Sequence, residues 1–151
     1  AARRAARVGP TPRIGDGAVR PLAPPSVPMT MLRLALLKLS LAAFGFRRTM
    51  EWIRRDAGQA SLRDDTDDAL VLRCEYAVAM AAALYPGRAA CLERSLMLYW
   101  WLRRSGVPVQ FRMGAQMYPF LAHAWVEYRG RVINDVAEHV RLFRPIEGIA
   151  S

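Results

Sequence analysis

The stretch CLERSLMLYWWLRRSGVPVQFRMGAQMYPFLAHAWVEYRGRVIND, Cys91 to Asp135, decides the fold, because the hydrophobic period changes inside it. Residues 91–104 read as a helix whose stretch Leu96 to Leu102, with Trp100 and Trp101, is apolar on nearly every side, and a helix that is apolar all round is a buried one. Gly106 and then Pro108 stop it. Beyond that point 109–116, 121–128 and 131–135 read as strands, with Gly130 marking the turn between the last two and 140–143 as a short fourth strand.

Upstream of this stretch the period is helical. Over 31–48, Leu32, Leu36, Leu39, Ala43 and Phe46 fall on one stripe at spacings of three and four, which predicts a helix facing the core or a partner. Arg33 and Lys38 interrupt the run before a membrane span accumulates. Asp64, Asp65, Thr66, Asp67 and Asp68 then precede an apolar helix over 69–85, where acids complement the helix dipole, and Pro86-Gly87 ends it. The same acids do not make a calcium loop, which needs a turn glycine and a closing glutamate. Helices followed by an antiparallel sheet define an α+β layout.

At 151 residues and 53% hydrophobic content the chain has room for one domain with a real core. Residues 1–28 stand apart: Pro10, Pro12, Pro21, Pro24, Pro25 and Pro28 are mixed with Gly and Arg and show no period, which predicts a disordered basic tail ahead of a single domain over 29–151. The net charge is +9, and five arginines against Asp16 alone belong to that tail. Basic residues in the body are scattered and no nucleic-acid motif accompanies them, so a nucleic-acid partner is not expected. Two cysteines, Cys74 and Cys91, are too few for a disulfide framework and predict free thiols in a reducing compartment.

Cys74 falls inside an apolar helix, where a cysteine behaves as a small hydrophobe. Cys91 falls at a helix start, where the dipole favours thiolate, the nucleophilic form. A histidine to hold the proton and a carboxylate to orient it would complete an activated nucleophile, and His123 and Asp135 supply those types on two successive strands. Each residue alone has an ordinary structural role available to it; the order of elements singles them out. Trp125 shares strand parity with His123 and is a candidate substrate-binding residue, and the backbone N–H of Cys91 is the natural first oxyanion donor.

Three segments, Cys91-Leu92-Glu93-Arg94-Ser95-Leu96, Leu102-Arg103-Arg104-Ser105-Gly106-Val107-Pro108 and Pro119-Phe120-Leu121-Ala122-His123-Ala124-Trp125-Val126-Glu127, resemble the transglutaminase-like B proteins of lasso-peptide biosynthesis. The spacings, 32 residues from Cys91 to His123 and 12 from His123 to Asp135, are similar to that family's, and the resemblance covers residues 31–145. It implies a transglutaminase-like, papain-like cysteine protease core acting as a leader peptidase in the bacterial cytoplasm. Cys91 would attack the scissile carbonyl, His123 would shuttle the proton and Asp135 would hold the imidazole, with no cofactor and no metal in catalysis. Glu93 and Arg94 are family-like residues read as a structural ion pair. The implied partners are a precursor peptide, a separate leader-recognition protein standing in for the winged-helix domain of fused family members, and the ATP-dependent macrolactam synthetase. A membrane partner is not expected. Thioester chemistry of this kind also serves transglutamination, deamidation and other amide hydrolysis, and a non-catalytic binding module is the reading from another class.

Strand geometry adds one expectation. A two-residue loop at Arg129-Gly130 would pair Tyr128 with Arg131 and carry Asp135 opposite Ala124, on the wrong face from His123. The sequence therefore predicts a hairpin loop of odd length or a β-bulge that brings the carboxylate to the imidazole.

Overall fold

The computed structural model describes residues 26–58 and 68–148. The tail read over 1–28 lies outside them except for its last three residues, as do Asp64 to Asp67 of the acidic run. The element order is α1 (Val27–Ala57), α2 (Asp68–Leu84), α3 (Cys91–Arg104), β1 (Val109–Gln116), β2 (Leu121–Tyr128), β3 (Arg131–Val132), α4 (Ala137–Val140) and β4 (Arg144–Pro145).

The first helix is longer than its apolar stripe suggests. Pro28 is accommodated in the first turn, where its missing N–H costs nothing. At Gly45 (φ 75°, ψ 173°) the helix kinks, a conformation that suits only glycine, and it then continues to Ala57. Ser40 and Thr49 join their hydroxyls across the kink at 2.9 Å. Leu34 and Leu37 before it and Met50, Ile53 and Ala57 after it are buried. Of the stripe read as facing the core or a partner, Leu32, Leu36 and Leu39 are exposed and so do not face the core, and Leu36 borders a groove of about 710 Å³ between the two arms of α1 and α3. Both sides of this helix are apolar, so periodicity could not choose between them.

Helix α2 buries Val71, Cys74, Ala77, Val78 and Ala81, and burial pushes the Cys74 thiol up to about 12. Helix α3 is the central helix, with Ser95 to Tyr99, Trp101 and Leu102 buried. Its end is closed by Gly106 at φ 82°, which lets Val107 N–H reach back to Leu102 O at 2.9 Å. Trp100 and Arg104 both donate to Asp56 Oδ2, at 2.7 and 2.5 Å, tying the end of α1 to α3.

The sheet order is β3-β2-β1-β4, antiparallel throughout. Val109, Phe111, Ala124, Val126 and Tyr128 face the helices in the main core. On the other face Trp125 packs with Val140 and Phe143 in a smaller one. The fourth strand read over 140–143 is not formed. Val140 and Phe143 point inward at the three-residue spacing of a helical turn, the segment folds as α4 and a turn, and the strand is Arg144–Pro145, paired to Gly114 and Ala115.

The β2–β3 hairpin also departs from expectation. Tyr128 pairs with Arg131 across a two-residue loop, with Arg129 at φ 49° and Gly130 at φ 75°, the geometry of a type I′ turn. The strand read to residue 135 stops at Val132. Ile133 N–H still bonds Val126 O at 3.1 Å, but Val126 N–H turns to the side-chain Oδ1 of Asn134 at 2.8 Å. Asn134 thus satisfies a ladder donor with a side chain and frees its backbone to leave the sheet, so Asp135 escapes the face that strict alternation would assign it.

Candidate active site

Helix α3 runs antiparallel to β1 through the short connection after Arg104, and β2 runs antiparallel to β1, so the start of α3 lies at the start of β2. Ser95 fixes this arrangement. Its hydroxyl donates to Ala124 O at 2.8 Å and accepts from Asn134 Nδ2 at 2.7 Å. Ala124 O is free to be met this way because β3 ends at Val132 and leaves that edge of β2 open. Cys91 precedes Ser95 by four residues on the same helical face, about 6 Å further toward the N-terminus. The thiol, free and half-buried, therefore stands at the end of β2 that carries His123. Ala90 precedes it with extended backbone as the N-cap, and Glu93 in the first turn meets Lys38 of α1 at 3.4 Å, an ion pair that anchors the helix start.

His123 is held from several sides. Gly114 is its register partner on β1, and a Cβ there would lie 2.9 Å from Arg144 O and from Phe143 Cβ and 3.0 Å from the Trp125 ring, so this point of the sheet admits only hydrogen. The imidazole lies between Trp125, ring centroids 6.1 Å apart and nearly parallel, and Phe143, at 4.9 Å. Trp125 is 2% exposed and donates its N–H to Glu127 Oε1 at 2.9 Å, which puts it beneath His123 as bedding.

The Nε2 of His123 and Oδ2 of Asp135 are 2.5 Å apart. Asp135 has two further partners: Val136 N–H to Oδ1 at 2.7 Å, and His139 Nδ1 at 3.2 Å and 3.1 Å from the two oxygens. Burial alone would raise this carboxyl, but the donors from Val136, His139 and His123 outweigh it and hold the group below its ordinary value. An ionised Asp135 takes the Nε2 proton in its hydrogen bond, which leaves Nδ1 as the basic nitrogen of a neutral His123.

The structure thus joins His123 to Asp135 and sets the start of α3, with Cys91, at the same end of β2. Three contributors were not singled out from sequence: Ser95, Asn134 and His139. A serine one turn after the cysteine, directly ahead of the apolar run Leu96 to Leu102, is the only signal that pointed to any of them, since a buried hydroxyl requires a partner.

An α+β domain with a thiol at a helix start and an imidazole–carboxylate pair on the adjoining sheet belongs to the general class of cysteine-dependent hydrolase and acyl-transfer scaffolds. The chain belongs to the transglutaminase-like superfamily, whose family model matches residues 33–148. Members of that superfamily are often cysteine-dependent enzymes, with protease or acyltransferase-type chemistry. No curated protein and no solved structure matches the chain.

Proposed function

We propose that this chain is a cysteine peptidase that removes the leader from a ribosomally made lasso precursor peptide, using Cys91, His123 and Asp135. The observation that carries the reading is the 2.5 Å contact between His123 Nε2 and Asp135 Oδ2, made at the end of β2 where α3 begins. With Nε2 committed to the carboxylate, Nδ1 accepts the Cys91 proton. The sulfur attacks the scissile carbonyl, and the oxyanion that forms lies within reach of the free N–H groups of the first turn of α3. Collapse passes the proton from His123 to the leaving amine and leaves a thioester. Water, deprotonated by the same nitrogen, then releases the acid and the thiol. Trp125 and Phe143 keep the ring oriented between these two proton transfers. The resemblance of the Cys91, Leu102 and Pro119 segments to lasso B proteins supports the choice of peptide substrate, and a separate recognition protein would deliver it.

The test mixes the chain and its recognition protein with a precursor peptide and follows the products by mass spectrometry. Separation of leader from core, absent with Cys91→Ala, is the expected result. A shift of about one dalton in an intact precursor would indicate deamidation through the same thioester, and an unchanged precursor would contradict the peptidase reading.

A further inference from the structure

His139 has no part in the chemistry above, yet it stands four residues after Asp135, one turn on, with its Nδ1 on the carboxylate. Its ring is 4.9 Å from that of His123 and 5.3 Å from Phe143. Asp135 is therefore flanked by two imidazoles. One donor atom from each of His123, Asp135 and His139 lies within 4.8 Å of the others. The side chains of His123 and Asp135 are 11% and 18% exposed and that of His139 is 48% exposed, so the cluster is accessible to solvent on the His139 side.

Two imidazole nitrogens and a carboxylate oxygen match the borderline ligand preference of zinc, and three protein ligands leave a fourth position to water. Around a tetrahedral ion the ligand atoms sit roughly 3.3 Å apart. The contacts present are 2.5 Å on the His123 side and 3.1 Å on the His139 side. Atoms that lie within 4.8 Å of one another reach that spacing by shifts of roughly 1.5 Å at most, and His139, on the four-residue helix α4, is the most exposed of the three ligands.

We propose that His123, Asp135 and His139 form a binding site for a zinc-type divalent ion, and that occupancy switches off the thiol at Cys91. The ion takes the Nε2 lone pair of His123, so the ring's one proton moves to Nδ1, the nitrogen that would otherwise accept from the thiol. On His139 the proton moves likewise from Nδ1 to the exposed Nε2. No proton is gained or lost by either ring. The ion lies on the Nε2 side of His123; in the peptidase reading the thiol meets the opposite nitrogen, Nδ1, so the thiol is not a ligand. This separates the site from ordinary capture of zinc by a cysteine–histidine pair. Binding stands on geometry alone, whereas the loss of activity rests on the peptidase reading.

The experiment titrates the full chain with Zn2+ by calorimetry and with Co2+ by absorption. Stoichiometric binding is expected, with visible ligand-field bands and no intense near-ultraviolet thiolate band. Cys91→Ala should bind as well as the parent, and His139→Ala and Asp135→Asn should each weaken binding at least about tenfold. Circular dichroism checks that each variant is folded, and the parent's cobalt spectrum reports the ligand set without any substitution. Absence of binding by the parent, a strong thiolate band, or affinity indifferent to His139→Ala would each overturn the site. Binding as expected with leader cleavage unaffected by Zn2+ would overturn the switch, and absence of cleavage without metal would count against the peptidase reading and not against the metal site.

Discussion

At the scale of single residues, the site is a set of satisfied bonds converging on Asp135 and Asn134. Asp135 is held below its ordinary 3.8, so its contribution to stability is present above that value and is lost as pH falls through the depressed one. Asp135→Asn should therefore lower the thermal midpoint near neutral pH, with the gap to the parent closing as acid protonates the parent's carboxyl. A gap independent of pH would show that the charge is not what matters. Ser95 and Asn134 act on the backbone. Ser95→Ala leaves Ala124 O and Asn134 Nδ2 without their buried partner, and a loss of about 1–3 kcal/mol in denaturant unfolding is expected. The positions of Cys91 and His123, at a helix start and on a strand, were legible from the sequence because the hydrophobic period marks both elements. The route of Asp135 to His123 was not. Period-two logic assumes that the ladder continues, and nothing in the composition announces that an asparagine side chain will replace a backbone carbonyl.

At the scale of elements, the shortness of β3 is functional: it opens the edge of β2 that α3 approaches. The turn that precedes it could not be read for length, because Gly130 suits both two- and three-residue loops, and Arg129 in a left-handed conformation carries no sequence mark. The second arm of α1 was hidden by Arg47, Arg48, Glu51, Arg54 and Arg55, although Met50, Ile53 and Ala57 continue the helical spacing beneath them. Gly114 offers the sharpest test at this scale. Gly114→Ala would press on Arg144 O, Phe143 and Trp125, separating β4 from β1 and moving the bedding of His123. The proposed leader cleavage should fall well beyond what the loss of stability explains, measured at a temperature where the variant is folded. Full activity with an unchanged midpoint would mean the sheet absorbs the methyl group.

At the scale of the whole molecule, α1 has two apolar sides with different duties. By length and composition it could cross a membrane, but Leu34, Leu37, Met50 and Ile53 lie in the core with α2 and α3. Leu34→Ala should cost about 2–5 kcal/mol in unfolding, as buried leucines do, whereas Leu36→Ser at the groove should change stability little. Similar losses from both would show that the groove is closed in solution. The alignment of α3 with β2 is the other molecular feature, since it alone brings residues 32 apart in sequence to one end of the sheet. That alignment was implicit in the order helix, strand, strand.

The most direct test of an activated thiol at Cys91 needs no substrate. Alkylation of the two free cysteines by iodoacetamide, followed residue by residue with mass spectrometry near neutral pH, should modify Cys91 far faster than buried Cys74, and His123→Ala should slow the Cys91 reaction by an order of magnitude or so while the protein remains folded. A Cys91 rate no greater than that of Cys74, or one that His123→Ala leaves unchanged, would contradict the account.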